Sequence, residues 1–396
     1  MNVAGPLEGT VVIAVPDFEP AVGGTVRHGG LIARGLARRG YEIVVVTRRR
    51  DPRWPRRERL DGLLVERVGP PRSGAVGDAL ALLGLARWLR RSRRRIAVVQ
   101  TLMWPDAATA AAAAGVLDRT VVMWAIQGEI ERVLAPGTSA RRRLLVGLRR
   151  RHLARCTHVT LTRSMALELA ATALPARSAV IPVPVDTAAF RPPTAAERAA
   201  ARGALELPPE AFVVAYVGHL ERRKGVERLV EAFARLVVEV AGATLLLVGG
   251  GRGVPEDTEP ALRALVRKRG LERTVRFCGV QPDPRPYLRA ADVFVLPSFR
   301  EGMPNTLLEA MASGLPSVAP GSAGGDELLE DGSGLVPPSN DPDDLHAALR
   351  DLATDPGRRA AIGRAAAERA REFDVERVLD RFAELYGSVV AGAPRG

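Results

Sequence analysis

Residues 291–316, ADVFVLPSFREGMPNTLLEAMASGLP, are the most informative segment of the chain. Its apolar part, residues 293–296, predicts a buried strand, and a turn rich in Pro and Gly leads from it into a helical pattern. A helix that starts beyond a strand directs backbone N–H groups and its positive dipole end into the space above the strand, which favours phosphate. Glu301 and Glu309 flank that space with carboxylates that accept hydrogen bonds from hydroxyl groups. The segment therefore predicts a polyhydroxylated, phosphorylated ligand.

Apolar segments alternate with helical patterns along the rest of the chain. This alternation predicts parallel sheets covered on both faces. A length of 396 residues exceeds what one core usually supports, so we expect two domains, joined by the Pro-rich residues 181–193. The predicted strands are residues 10–15, 43–47, 63–68, 96–100, 120–125, 158–162 and 179–181, followed by 213–217, 244–248, 275–278, 293–296 and 317–319.

The composition is that of a globular protein, with 46% hydrophobic residues. No apolar run reaches the roughly 18 residues of a membrane-spanning helix. The N-terminus lacks the basic and apolar regions of a signal peptide. Cys156 and Cys278 have neither metal-site nor disulfide spacing. We therefore expect a cytoplasmic protein.

Residues 291–316 resemble the E-x7-E motif of the retaining glycosyltransferases with the GT-B fold, specifically glycosyltransferase family 4. Four other segments match that family in its order: residues 23–47 (GGTVRHGGLIARGLARRGYEIVVVT), 217–233 (VGHLERRKGVERLVEAF), 245–250 (LLLVGG) and 276–298 (RFCGVQPDPRPYLRAADVFVLPS). The resemblance implies two doubly wound, Rossmann-like α/β domains facing a central cleft. We expect residues 1–188 to bind the acceptor and residues 189–374 to bind the donor. The last helix, within residues 375–396, is expected to return to the first domain.

The resemblance also implies roles for particular residues. Glu309 would bind the nucleotide ribose, although alone it could simply complement the helix dipole. Glu301 would position the donor sugar, and Lys224 would stabilise the charge of the departing diphosphate. The remaining donor-binding residues implied by the family are Gly23, Gly24, His219, Val280, Gly302, Met303, Pro304, Asn305 and Thr306. Neither a metal nor another cofactor is implied, and the nucleoside diphosphate sugar would be a co-substrate.

Two positions depart from the family pattern. His219 stands where an arginine is common, so a phosphate contact and a purely structural histidine are both open. If it makes no contact, Arg222 or Arg223 could assist Lys224. Gln127 stands where histidine is common near the reacting centre. The family's same-face reaction gives the acceptor proton to the departing phosphate, so glutamine there is compatible with transfer.

Positive charge is concentrated in the first half of the chain. Residues 1–190 hold 30 Arg and 15 acidic residues, so the second half contributes no excess to the net charge of +12. Basic segments with apolar interruptions are typical of anionic membrane surfaces. We expect peripheral membrane contact, or a lipid-linked or anionic acceptor, near Arg141, Arg142, Arg143, Arg149, Arg150 and Arg151. Nucleic acid is disfavoured because aromatic residues make up only 4% of the chain.

Other motifs are weaker. Asp341 and Asp343 spell D-x-D, but their place before a helical pattern indicates a helix cap. The glycines at 249–251 lack the G-x-G-x-x-G spacing of dinucleotide-binding enzymes, and a P-loop is absent from the sequence. Two alternatives to transfer stay open: a phosphorylase or nucleotide-sugar epimerase on the same fold, and an inactive scaffold that binds a membrane or a partner. The nucleotide base and the donor sugar are not separable by sequence.

Overall fold

The computed structural model describes residues 7–21, 23–72, 74–135, 139–174, 177–252 and 256–392, and only the backbone of residues 140–142. By their contacts these residues fall into two compact units. Unit 1 consists of Met1–Pro184 and Val375–Gly396, and unit 2 of Val185–Asp374.

Unit 1 is built on an eight-stranded sheet of order β3-β4-β2-β1-β5-β6-β7-β8. Its strands are β1 (Thr10–Val15), β2 (Glu42–Arg48), β3 (Arg57–Leu60), β4 (Leu63–Val68), β5 (Ile96–Leu102), β6 (Thr120–Trp124), β7 (Thr157–Thr160) and β8 (Arg177–Val180). The central strands β1, β5 and β6 are buried along their whole length, as expected for a sheet covered on both faces.

The helices of unit 1 connect these strands. They are α1 (Gly24–Arg38), α2 (Gly74–Ser92), α3 (Ala107–Ala114), α4 (Glu129–Leu134), α5 (Ala140–Leu153) and α6 (Arg163–Ala171). A helix from the far end of the chain, α15 (Val375–Gly392), also packs in this unit, against α1 and β5. Tyr386 on α15 donates a buried hydrogen bond of 2.5 Å to Gln100 on β5.

Unit 2 is built on a five-stranded parallel sheet of order β11-β10-β9-β12-β13. Its strands are β9 (Val213–Val217), β10 (Thr244–Val248), β11 (Val275–Gly279), β12 (Val293–Val295) and β13 (Ser317–Val318). Its helices are α7 (Ala195–Ala204), α8 (Val226–Glu239), α9 (Glu259–Lys268), α10 (Arg285–Ala290), α11 (Asn305–Ala312), α12 (Gly325–Leu328), α13 (Pro342–Thr354) and α14 (Pro356–Ala370).

The predicted architecture of two doubly wound α/β domains is confirmed, with two local differences. Strand β3 was not predicted, and it pairs antiparallel to β4 at the edge of the sheet. Its sequence, RERL, is polar and largely exposed, so it carries no apolar signal. Helix α1 begins at Gly24, although its first turns consist largely of glycines and His28 and show no apolar helical periodicity.

Candidate functional site

The candidate site of unit 2 lies where its sheet changes direction. β9 and β12 are neighbours, but β9 leads through α8 to β10 on one side, whereas β12 leads through α11 to β13 on the other. The two connections leave the carboxyl edge of the sheet side by side. In open α/β sheets such a switch point forms a crevice that binds ligands.

The connection after β9 is held by the backbone. The N–H of Gly218 donates to Val248 O at 2.9 Å, and the buried Tyr216 hydroxyl donates to His219 O at 2.7 Å. Burial raises the pKa of Tyr216 well above its ordinary value, so this hydroxyl keeps its proton. The side chain of His219 itself is exposed. His219, which stands where the family has arginine, therefore contributes to the fold through its backbone carbonyl.

Lys224 and Glu301 meet across the switch point. Lys224 Nζ lies 2.5 Å from Glu301 Oε1, and the two side chains are 14% and 11% exposed. Arg223 Nη1 lies 3.3 Å from the other oxygen, Glu301 Oε2. Lys224 and Arg223 therefore share the Glu301 carboxylate, and this group of ion pairs joins the connection after β9 to the connection after β12.

The structure distinguishes the two arginines beside Lys224. Arg223 also donates to Arg300 O at 3.1 Å and pairs with Glu221 at 2.6 Å. Arg222 is 79% exposed and lies 3.7 Å from Glu256. Arg223 is thus the arginine that accompanies Lys224 at the site. Sequence alone left this choice open, and it gave no signal for Glu221.

The connection after β12 leads into α11. The N–H of Glu301 donates to Ser322 O at 3.1 Å, which fixes the backbone that carries this carboxylate. Met303 and Pro304 are buried, and α11 starts at Asn305 with Thr306 in its first turn. Glu309 lies one turn further along α11 and is only 4% exposed. A carboxylate with so little exposed surface is rare in proteins unless it is paired with a charged or hydrogen-bonding group.

The ends of β10 and β11 complete the carboxyl edge. Gly249 has φ of +141°, and its N–H donates to Gly279 O at 2.8 Å. A Cβ on Gly249 would lie 1.8 Å from Gly218 O, so only glycine permits this close approach of two connections. Val280 projects from the end of β11 with 70% of its surface exposed. The role of Gly249 was missed because a backbone contact leaves no motif in the sequence.

The loop after β1 leads to two other predicted residues, Gly23 and Gly24, at the start of α1 in unit 1. Two arginine side chains donate hydrogen bonds to backbone carbonyls of this loop: Arg48 Nε to Pro16 O at 3.1 Å, and Arg67 Nη2 to Glu19 O at 2.6 Å. The side chain of Arg67 is completely buried. No sequence motif indicated that these arginines order the loop.

Gln127, after β6 in unit 1, donates from Nε2 to Ser164 Oγ at 3.2 Å. Glu168 on α6 accepts hydrogen bonds from the N–H groups of Gly128 at 2.9 Å and Glu131 at 3.1 Å. Glu168 and Ser164 therefore position the segment that carries Gln127. Both were missed, since they are distant in sequence and belong to no motif.

Two of the arginines predicted to form a basic surface on α5 have partners within the protein. Arg149 pairs with Asp106 at 2.5 Å, and Arg150 donates to Thr172 O at 2.6 Å. Arg143 and Arg151 are exposed. The side chains of Arg141 and Arg142 lie outside the described residues.

The D-x-D sequence forms ion pairs with α8. Asp341 pairs with Arg228 and Asp343 with Arg235, while Pro342 opens α13. Asp341 occupies the predicted cap position, but its side chain makes no capping hydrogen bond. In the described part of the chain, no three His, Cys, Asp or Glu side chains are grouped as a metal site would need. Within the same residues, no helix is long and apolar enough to cross a membrane.

Comparisons with known proteins identify the family of each unit. Residues 211–355 match the family described as glycosyl transferases group 1, and residues 23–184 match the glycosyl transferase 4-like domain. The chain is 36% identical over 213 residues to D-inositol 3-phosphate glycosyltransferase of Kribbella flavida, a match that covers 52% of this chain and 49% of that protein. The chain spans about half the length of the curated relatives it matches.

Two solved structures share the fold. Sucrose-phosphate synthase from Thermosynechococcus elongatus has a TM-score of 0.79 at 22% identity, covering 97% of this chain and 100% of that one. Anabaena HepE, solved with UDP and glucose, has a TM-score of 0.75 at 20% identity, covering 96% and 100%. With one family match in each unit and the fold shared throughout, the chain belongs to the group 1 glycosyltransferases of the GT-B fold.

Proposed function

We propose that this protein transfers a glycosyl group, with retention, from a nucleoside diphosphate sugar to an acceptor hydroxyl. The observation that carries the proposal is the pairing of Lys224 with Glu301 at the switch point of unit 2, at 2.5 Å. It places a cation suited to phosphate beside a carboxylate suited to sugar hydroxyls.

The chemistry follows from this pair. The bond between the anomeric carbon and the distal phosphate oxygen breaks, and negative charge accumulates on the phosphate. Lys224 and Arg223 stabilise that charge, because they are fixed before the reaction and partly shielded from water. The acceptor oxygen forms the new bond on the same face, and its proton passes to the departing phosphate. Gln127 orients a hydroxyl and accepts no proton in this scheme.

The nucleotide is proposed to lie over α11. Glu309 would accept the ribose hydroxyls, while the backbone of residues 302–306 surrounds the sugar and phosphates. The backbone at Val280, after β11, would contact the nucleotide base. The complex of HepE with UDP and glucose makes UDP-glucose the first donor to test. We propose that transfer requires no metal, since arginines already pair with Asp341 and Asp343.

We infer that the acceptor is lipid-linked or anionic, and that the protein contacts an anionic membrane surface. Support comes from α5, whose exposed Arg143 and Arg151 belong to a helix without any acidic residue. Relatives named D-inositol 3-phosphate glycosyltransferases act on a phosphorylated compound, which is consistent with an anionic acceptor here.

Thermal unfolding with UDP, GDP, ADP and their diphosphosugars tests the donor site. A ligand present at 100 times its Kd should stabilise the protein by about 2.7 kcal/mol. Glu309→Gln should abolish the shift, whereas Glu272→Gln, an exposed carboxylate of the same unit, should retain it. A donor that shifts wild type and Glu309→Gln equally would contradict the ribose assignment. No shift with any nucleotide would favour the inactive scaffold.

A further inference from the structure

Helix α2 exposes a row of apolar side chains. Val76, Leu80 and Leu83 are 58%, 38% and 53% exposed. Their spacing of four and three residues places them on one face of the helix. That face is opposite to the buried Ala81, Leu85 and Leu89, which attach α2 to the sheet.

Helix α5 repeats the pattern. Leu144, Leu145 and Leu148 are 75%, 55% and 45% exposed, whereas Val146 and Leu153 are buried. The two helices together supply six of the fourteen large apolar side chains that are exposed in the described part of the chain. Single exposed apolar residues are normal, but two clustered rows indicate an interaction surface.

The two rows lie on the same side of unit 1. The connections β4–α2–β5, β5–α3–β6 and β6–α5–β7 all progress in one direction across a parallel sheet, and right-handed crossovers then place their helices on one face. Helix α3 contacts both α2 and α5 and, with the sequence AATAAAAA, has no long side chain between them. Because α2 and α5 both start from the carboxyl edge of the sheet, their apolar rows lie towards that same edge.

Arginines continue both rows. Arg87 and Arg90 follow on the exposed face of α2, and Arg151 lies one turn after Leu148 on α5. The one acidic residue of α2 is Asp78, which pairs with Arg48. After α2 come Arg93, Arg94 and Arg95, all exposed. The surface is thus apolar at one end and basic at the other, and the described residues of α2 and α5 add no unpaired acidic side chain to it.

We propose that the outer face of α2 and α5, called here the α2–α5 face, docks on an anionic lipid bilayer. The leucines and Val76 enter the boundary between head groups and acyl chains, while the arginines contact lipid phosphates, as in helices that lie in a membrane interface. The proposal extends the inferred membrane acceptor by naming the surface. Bilayer binding itself needs neither donor nor acceptor, so it can succeed or fail independently of glycosyl transfer.

Co-sedimentation of the full chain with phosphatidylcholine vesicles, with and without phosphatidylglycerol, tests this proposal. We expect binding to the anionic vesicles, weakened by salt, and much weaker binding to neutral ones. Leu80→Glu/Leu83→Glu and, separately, Leu144→Glu/Leu148→Glu should each lower the partition coefficient at least about tenfold. Arg87→Ala/Arg90→Ala should lower it about fivefold per charge removed.

The matched control is Val238→Glu, because Val238 is 84% exposed on α8 of unit 2. It should bind vesicles like wild type. Thermal unfolding checks that each variant is folded. Failure of wild type to bind anionic vesicles, an equal loss in Val238→Glu, or tighter binding of duplex DNA than of vesicles would each overturn the proposal.

Discussion

Lys224 and Glu301 are 77 positions apart in sequence, yet they form a contact of 2.5 Å. Both side chains are largely shielded from water, so their attraction is stronger than that of a surface pair. Arg223 provides Glu301 with a second cation. Arg223 also pairs with Glu221, so the cluster joins two cations to two carboxylates.

Lys224→Ala should lower kcat by about 100- to 1,000-fold, since it removes one fixed donor to the departing phosphate. Initial rates at saturating donor measure this loss. Arg222→Ala is the matched control, because Arg222 is a neighbouring cation exposed to solvent. Unchanged kcat in Lys224→Ala, or an equal loss in Arg222→Ala, would contradict the role given to Lys224.

His28, buried in α1, makes unit 1 sensitive to acid. Burial lowers the pKa of His28 from 6.5 to about 4. Between these values the unfolded chain binds the proton and the folded chain does not, so stability falls as pH falls below 6.5. The His28 contribution to the free energy of unfolding should decrease by about 2 kcal/mol from pH 7 to pH 5.

Urea unfolding at the two pH values tests this effect. All four tryptophans (Trp54, Trp88, Trp104 and Trp124) lie in unit 1, so their fluorescence reports that unit. His28→Asn should lose less stability on acidification than wild type. Identical pH dependence in His28→Asn and wild type would show that another group is responsible.

At the scale of elements, Gly225 ends the short turn that carries Lys224 and begins α8. It has φ of +62°, and a Cβ there would lie 2.3 Å from Pro297 O. The turn after β9 and the turn after β12 can therefore approach only because residue 225 is glycine. The position of Lys224 depends on this approach.

Gly225→Ala should destabilise unit 2 and lower turnover, because both φ and the contact with Pro297 are unfavourable. Gly242→Ala is the matched control: Gly242 has φ of +76° but nothing within 4 Å of a built Cβ. The control should lose about 1–2 kcal/mol and retain its turnover. Thermal unfolding and initial rates measure both properties. Equal effects of the two substitutions would mean that the close approach is unimportant.

Unit 1 is assembled from two distant parts of the chain, the described residues up to Pro184 and helix α15. Phe382 and Leu379 on α15 are completely buried in this unit. Arg39, just after α1, pairs with Glu376 at 2.7 Å and Asp380 at 2.8 Å. The core of unit 1 is therefore complete only when the last helix is present.

Phe382→Ala should destabilise unit 1 by about 3–5 kcal/mol, the usual cost of removing a buried phenyl ring. Tryptophan fluorescence in urea measures the loss, and hydrogen exchange in β9–β13 should stay unchanged. Val390→Ala, at a 37% exposed position of the same helix, should change stability by less than about 0.5 kcal/mol. Loss of protection in unit 2 would show that α15 supports more than unit 1.

Apolar runs and turn residues act over a few neighbouring positions, so the amino-acid sequence predicted the two alternations of strand and helix and the positions of nearly all strands. Family resemblance also singled out Lys224 and Glu301, and their role in a donor site stays a prediction. Three features became apparent only in the folded chain: Arg223 rather than Arg222 pairs with Glu301, Gly249 and Gly225 allow two connections to touch, and leucines on α2 and α5 face solvent. These features depend on which distant segments the order of the strands brings together, and no local pattern records that order.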